Sequence, residues 1–499
     1  MNFYQWYKKH EDIPLAATAA YSAWNVKQWL CRDRRLLLSD TPKAFPVRVA
    51  FICEQMTYDT FSPLCRSAYL TPYNWKKTLR QFRPQLLFCE AAWQGIEEFP
   101  HCWRGRIYRN QKVLFENRRV LFSILKACRR RGIPTVFWNK EDTLSSPDRR
   151  FDFFDTALHF DHILTTAAES VEHYQKAGAA SVSVFPFSFS PERYNPLRTD
   201  AGEMEWRAVF AGSWYSSQPE RCSDMRAMLD QMRACGIPCT IYDRQCGSES
   251  DEHRYPPQYH DMIRPGVAYR DLPGVTARCR IALNINTVKD SETMFARRVY
   301  EMMAQNHIVI SNGSVGMKRQ FPGRVGFLDE PFDLEQLDAA RRENLIEVFL
   351  HHTSRARFAW LLDKLGLFTM EPPVIGFVFD GGAVPLLLEK IDYQPKRILR
   401  AGAEGRLTDE EDNEYALSDC DYYVWVREPE QLAGVDWEFL LTQFSFLPKG
   451  CGIRCAAPKR EENRYRIETD TKNRDCVFDA GAFAGILKEP RKQAMKYIY

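Results

Sequence analysis

Short apolar runs alternate with helical stretches along most of this 499-residue chain, and the alternation stops once and begins again. Runs at 47–53, 85–89, 135–138, 162–166 and 183–185 are rich in Val, Ile, Phe and Leu and read as strands. Between them, 74–82, 116–131 and 169–177 read as helices, the middle one halted by Gly132-Ile-Pro134. Such an order predicts a mostly parallel sheet covered on both faces. Residues 186–200 carry three prolines and little apolar period, so they read as a connector. The pattern then restarts, with strands at 207–211, 239–242, 281–285 and 307–310 and helices at 221–235 and 335–366. A second Gly-Ile-Pro break stands at 236–238.

The expected fold class is therefore α/β, with two Rossmann-like domains facing across a cleft and a smaller C-terminal α/β module. The expected boundaries are 1–45 for a helical lead-in, 46–190 and 191–370 for the two domains, and 371–499 for the module. A chain this long divides into two or three domains. Its 45% hydrophobic and 13% aromatic content suffices for packed cores. A net charge of +3 argues against disorder and against wholesale nucleic-acid binding. The absence of a long uninterrupted apolar run argues against a membrane span, and the opening residues lack a signal-peptide pattern. The fifteen cysteines are scattered without a Cys-x-x-Cys pair, which favours reduced thiols in a cytoplasmic protein over disulfides or zinc.

In open α/β sheets, ligands bind beyond the carboxyl ends of the strands. In the second domain those points hold Gly212 and Ser213, Asn284 and Asn286, and 293–298, read as the start of a helix from Ser291. A glycine lets backbone approach a phosphate, a helix start favours an anion, and Arg297 and Arg298 add bidentate contacts. Glu301 suits a ribose diol, or else an i,i+3 or i,i+4 ion pair with those arginines. In the first domain Asn139, Lys140, Glu141 and Asp142 follow one strand, Glu54 another and Glu90 a third, with Asp59 nearby. Carboxylates gathered at one edge suit acid/base work, against the alternative of a polar turn. Residues 104–131 carry eight arginines. They could contact an anionic membrane surface or an acidic acceptor, or form a solvated helix face. Gly381-Gly382 resembles a phosphate loop only faintly.

Several ordered blocks resemble the CgeB-like (spore maturation protein) glycosyltransferases. They are Phe210-Ala-Gly-Ser-Trp-Tyr215 with Glu220-Arg221, Leu283-Asn-Ile-Asn-Thr-Val288, the stretch from Thr293 to Ala304, Leu70-Thr-Pro-Tyr-Asn-Trp75, Cys89–Gly95 and Pro134–Asp142. The resemblance covers roughly 47–366 and implies the GT-B arrangement, with a nucleotide sugar held mainly by the second domain. It implies that Gly212, Ser213 and Arg221 lie near the donor diphosphate and that Arg297 and Arg298 neutralise it. It also implies that Glu301 takes the ribose, with Asn284, Asn286 and Thr293 in the same donor wall. No metal or cofactor beyond the nucleotide co-substrate is implied. A first-domain carboxylate is expected to take the acceptor proton: Glu141 or Asp142, with Glu54 and Asp59 behind them. Two departures stand out. Asn306 occupies a turn where many relatives have glycine, and Glu292 and Glu301 are nine apart rather than eight. The third module resembles a degenerate GT-A domain, with Val426-Arg-Glu-Pro-Glu430 where a metal-binding Asp-x-Asp would stand.

The expectation is thus a cytoplasmic, metal-independent glycosyltransferase of bacterial surface or spore polysaccharide synthesis, free in the cytoplasm or peripheral at the inner membrane face. Its acceptor would be a glycan, a protein or a lipid-linked precursor. A nucleotide-sugar epimerase on the same scaffold and a non-catalytic glycan- or nucleotide-binding scaffold are the alternatives.

Overall fold

The computed structural model describes residues 13–41, 44–142, 151–197, 204–248, 250–380, 385–402, 405–432, 434–455, 466–470, 475–488 and 494–498. The Gly381-Gly382 pair lies outside them.

In chain order the first unit contains β1 Leu37–Ser39, β2 Phe45–Ile52, β3 Cys65–Tyr69, β4 Leu86–Glu90, β5 Arg109–Asn110, β6 Thr135–Asn139, β7 Phe151–Asp152, β8 His162–Thr165 and β9 Val182–Val184. Seven of these form one sheet in the order β1-β3-β2-β4-β6-β8-β9, while β5 and β7 pair apart. Every pairing in the large sheet is parallel except β1 with β3. The strands β4 and β6 are buried at every position, as two helical layers require. Helix Arg119–Arg129 buries Leu121, Ile124, Leu125 and Cys128, an i, i+3, i+4, i+7 stripe. Gly132 then takes φ 63°, which a side chain adopts only with strain, and the chain turns into β6.

The second unit comprises β10 Glu205–Ala211, β11 Cys239–Asp243, β12 Ile263–Pro265, β13 Cys279–Asn284, β14 Ile308–Ser311 and β15 Gly326–Phe327. They form a wholly parallel sheet in the order β12-β11-β10-β13-β14-β15. Its strand order reverses between β10 and β13, as that of the first sheet does between β2 and β4. Each sheet therefore opens a crevice at its carboxyl edge.

The third unit has β16 Ile375–Asp380, β17 Lys396–Ala401, β18 Leu407–Thr408, β19 Glu414–Tyr415, β20 Tyr422–Trp425, β21 Gly452–Arg454, β22 Arg466–Asp470, β23 Cys476–Asp479 and β24 Ala494–Ile498. They make one mixed sheet, β19-β18-β17-β16-β20-β23-β21-β24-β22. Its core is continuous with that of the second unit. Leu345, Val348 and Phe349 of helix Leu334–His351 pack with Phe377, Trp437, Phe439 and Leu440. Two Rossmann-like units and a smaller α/β module are the architecture expected.

The sequence reading did not find β3, β12 and β15, and three further details differ from it. The lead-in is not purely helical, because β1 joins the first sheet as its antiparallel edge. The expected helix over 335–366 breaks at His352–Thr353, and its second half, Ser354–Lys364, crosses back to the first unit. There Phe358, Leu361 and Leu362 enter the same core as Phe45 and Phe61. Amphipathic spacing shows that a helix has an apolar face but not which core receives it. Third, the helix expected from Ser291 begins only at Arg298 and ends at Ala304. Residues 291–297 are held as a loop: Ser291 Oγ accepts from Met294 N at 3.0 Å, and Asn286 Oδ1 accepts from Ala296 N at 2.9 Å. Asn306 takes φ 63°, the left-handed turn its position calls for.

Among the described residues, no helix is long and apolar enough to cross a membrane. All fifteen cysteines are free thiols, three of them exposed.

Candidate functional site

A cavity of about 290 Å³ lies over the carboxyl ends of β10 and β13, where the second sheet reverses its strand order. Val209, Ala211 and Ala282 form its floor, and Arg244, Tyr269, Arg297, Arg298 and Glu301 supply polar walls. Met56 and Tyr194 close it from the first unit and the connector. A second cavity, of about 280 Å³, is lined by Tyr215, Gln218, Arg221, Asn286 and Phe295. Ala296 and Arg298 belong to both walls.

The charges around the first cavity divide into paired and unpaired. Arg297 Nε lies 3.0 Å from Glu301 Oε1, the i,i+4 ion pair, and the same oxygen accepts from Tyr269 OH at 2.6 Å. Glu301 is only 5% exposed, so this carboxylate is fixed by both neighbours. Arg298 instead donates to the carbonyl of Ala211 at 2.7 Å and to no carboxylate among the described residues. Burial lowers its pKa, Glu301 opposes that, and the cations of Arg221 and Arg244 lower it further. An arginine stays protonated in any such site, so its charge sits desolvated beside like charges, which an anion would offset. Among the described residues Arg221 likewise donates to a carbonyl and to no carboxylate: it bonds Ser213 O at 3.1 Å and lies over the Tyr215 ring.

Gly212 lies against this cluster: an added Cβ would come 2.8 Å from the Phe210 ring and 3.5 Å from Arg298 Nη1. The Ser213 hydroxyl is buried without a hydrogen-bond partner among the described residues. Asn284 and Asn286 both donate to Ser311 Oγ, at 3.0 and 3.2 Å. Asn286 N also donates to Asn312 Oδ1, so the two asparagines hold the 286–296 loop in place. Only Asn286 reaches a cavity. Thr293 faces the first unit. Its hydroxyl donates to Thr166 O at 2.8 Å and accepts from Ala168 N at 2.9 Å, making it an inter-unit clasp rather than part of a cavity wall. Glu292 is exposed and paired with Arg319.

None of the four first-unit carboxylates named from sequence lines either cavity. Glu54 accepts the backbone amides of Trp93 and Gln94. Asp59 accepts from Gln55 and lies 3.6 Å from Arg193. Asp142 is buried, accepts from Thr165 Oγ1 at 2.8 Å, and is pushed up to about 6 by burial against the opposing hydrogen bonds. Glu141 remains exposed. Glu90, with no exposed surface, pairs with Lys140 and accepts Glu54 N at 3.2 Å. Burial raises its pKa against the pull of Lys140. It is near enough to Arg297 to favour that cation across the cleft.

Sequence reasoning missed Arg244 and Tyr269. Arg244 directly follows β11, so the carboxyl-end rule applied to that strand would have found it. Tyr269 follows the three-residue β12, which has no readable apolar run. Of the eight arginines at 104–131, Arg106 is spent on Asn25 and Tyr73, Arg109 on Phe115 O and Arg118 on Glu116 and Asp155. Those three are therefore engaged within the fold, while Arg119, Arg129, Arg130 and Arg131 are exposed. At the third unit, Arg427 N and Glu428 N both donate to Asp475 Oδ1, which fixes the turn after β20.

No family model matches the chain, and no curated protein matches it. Among solved structures it is similar to HepE of Anabaena in complex with UDP and glucose, at 12% identity and TM-score 0.35, over 62% of this chain and 92% of that one. It is also similar to sucrose-phosphate synthase from Thermosynechococcus elongatus, at 11% identity and TM-score 0.39, over 64% and 99%. A third is α,α-trehalose 6-phosphate synthase from Burkholderia multivorans, at 12% and 0.38, over 59% and 73%. Likenesses this distant assign no residue and no activity.

Proposed function

We propose that this protein is a glycosyltransferase of the CgeB-like kind that moves a sugar from a nucleotide-sugar donor to an acceptor hydroxyl. The observation that carries the reading is Arg298, an arginine without a carboxylate partner, standing in the wall shared by two cavities at the switch point of the second sheet. In this reading the nucleoside occupies the 290 Å³ cavity with its ribose toward Glu301. The diphosphate lies against Arg298 and Arg221, and the sugar points along the second cavity toward the first unit. Catalysis then rests on cations preset for the charge that grows on the departing diphosphate, without a metal in the step. The acceptor proton goes to a first-unit carboxylate. Glu141 is favoured because Glu54 and Asp142 are committed to internal hydrogen bonds. A surface glycan, protein or lipid-linked precursor is the acceptor class.

Thermal stabilisation against a panel of nucleoside diphosphates and nucleotide sugars tests this. A ligand at 100 times its Kd adds about 2.7 kcal/mol. Arg298→Ala is expected to weaken the best ligand about 30- to 100-fold by removing charge-assisted bonds. If no member of the panel stabilises the protein, the reading fails. An epimer formed from donor alone replaces it with the epimerase, and ligand binding without transfer or donor hydrolysis replaces it with the scaffold.

A further inference from the structure

Helix Pro14–Leu30 turns its small side chains inward and its large ones outward. Ala16, Ala17 and Ala20 are buried on the first unit. Leu15, Val26, Trp29 and Leu30 are 71, 58, 54 and 67% exposed, and with the exposed Ala19 and Ala23 they follow helical spacing along one face. Of the fifteen large apolar side chains exposed among the described residues, five (Ile13 and these four) belong to this helix or the residue before it. Leu114, 63% exposed, lies beside them, its amide bonded to Thr18 Oγ1. The helix is firmly seated through Tyr21 OH to Asn117 O and Arg106 Nη2 to Asn25 Oδ1. Its outward face is therefore a built surface and not a loose end. A contiguous apolar stripe of this kind marks an interaction site.

Charge identifies the occupant. The helix has no acidic residue. Lys27 and Arg34 are exposed on it and just beyond it, and the Arg32 guanidinium lies 4.3 Å from the centroid of the Trp29 ring. Among the described residues, two nearby acids are neutralised, Asp33 by Arg35 and Glu116 by Arg118. Val26 and Trp29 also form the lip of a groove of about 370 Å³ that contains Arg106, Arg119 and Tyr73. Apolar side chains in a stripe, a tryptophan at its edge and arginines along the rim are what the boundary between lipid headgroups and acyl chains accepts. A second copy of the chain meeting the same face would bring the two cationic rims together, which opposes that pairing.

We infer that helix Pro14–Leu30 lies on an anionic lipid bilayer, with Leu15, Val26, Trp29 and Leu30 inserted and the basic rim, including the Arg119 groove, against lipid phosphates. This docking is independent of the proposed activity and needs no span, since among the described residues no helix is long and apolar enough to cross a membrane.

Full-length protein is sedimented with vesicles of phosphatidylcholine alone or mixed with phosphatidylglycerol. The mixed vesicles should retain the protein, and salt should release it. Trp29→Glu with Leu30→Glu should lower partitioning at least about ten-fold with an unchanged thermal midpoint. Leu30→Ala, which preserves helix propensity, should give a smaller loss in the same direction. Lys27→Glu with Arg34→Glu should cost about five-fold per charge. Equal retention by neutral and anionic vesicles, or retention that the Trp29/Leu30 variant leaves intact, overturns the inference. So does a dimer in sedimentation velocity that the same variant dissociates, which would assign the face to a second copy.

Discussion

The carboxyl edges of the two Rossmann-like sheets carry similar numbers of charges and use them in opposite ways. At the first edge the charges answer one another: Glu90 with Lys140, Glu54 with two backbone amides, Asp59 with Arg193 and Asp142 with Thr165. At the second edge, Arg221, Arg244 and Arg298 crowd one cavity complex, and the first and last of them reach only carbonyl oxygens. Paired groups at a strand end stabilise the loops that carry them. Cations without a carboxylate partner at a strand end suit an anionic ligand. Location alone therefore does not separate architecture from function. The partner inventory does.

The largest effect should follow from breaking the first edge. Lys140→Ala leaves Glu90 without its counter-cation in a site with no exposure. It should cost about 3–5 kcal/mol in chemical denaturation, whereas Arg298→Ala should leave stability equal or slightly higher while nucleotide affinity collapses. If both variants lose stability alike, the contrast between the edges is gone. Next comes Asp142, whose folded-state pKa of about 6 exceeds the usual carboxylate value. A raised folded pKa means the folded state binds the proton more tightly, so that stability is full in acid and falls as the pH rises through about 6. Asp142→Asn should match wild type near about pH 4 and exceed it by about 1–3 kcal/mol at neutral pH, read from paired denaturation curves. A constant offset across pH would show that burial does not raise this group. The smallest effect belongs to a turn: Asn306→Gly, at φ 63°, should stay within about 1 kcal/mol of wild type, and Asn306→Val should lose more than that.

Nine strands of the two sheets were legible in the sequence because each is a short apolar run flanked by turn residues, whereas β1, β3, β12 and β15 are too short or too polar to be read so. The left-handed turn at Asn306 was legible because asparagine tolerates that conformation. The start of the helix at Arg298 was hidden, since Ser291 and Thr293 look like helix caps. Instead Ser291 holds a loop, and Thr293 reaches Thr166 in the other unit. Capping chemistry reads the same in sequence whichever backbone it serves. Arg297 and Arg298 differ by one position, yet one is paired and the other unpaired. That difference depends on Glu301, Tyr269 and the carbonyl of Ala211, which meet only in three dimensions. The exposed stripe on the first helix was equally hidden, because a helix apolar on both faces reads simply as apolar.

The return of helix Ser354–Lys364 to the first unit also determines where the halves of the molecule join. The chain passes from the first unit to the second at Phe189, comes back at Thr353, and leaves again after Lys364 for the third unit. The first two passages are stitched by Phe189 N to His352 O and Ser354 N to Phe189 O, a single bridge at the seam. On one side of it lie the second sheet, its cationic cavity and the whole third unit, joined to it by a continuous core. The other side holds the first sheet and helix Pro14–Leu30. The third unit and the cavity are thus built as one body, and what one holds keeps a set distance from the other.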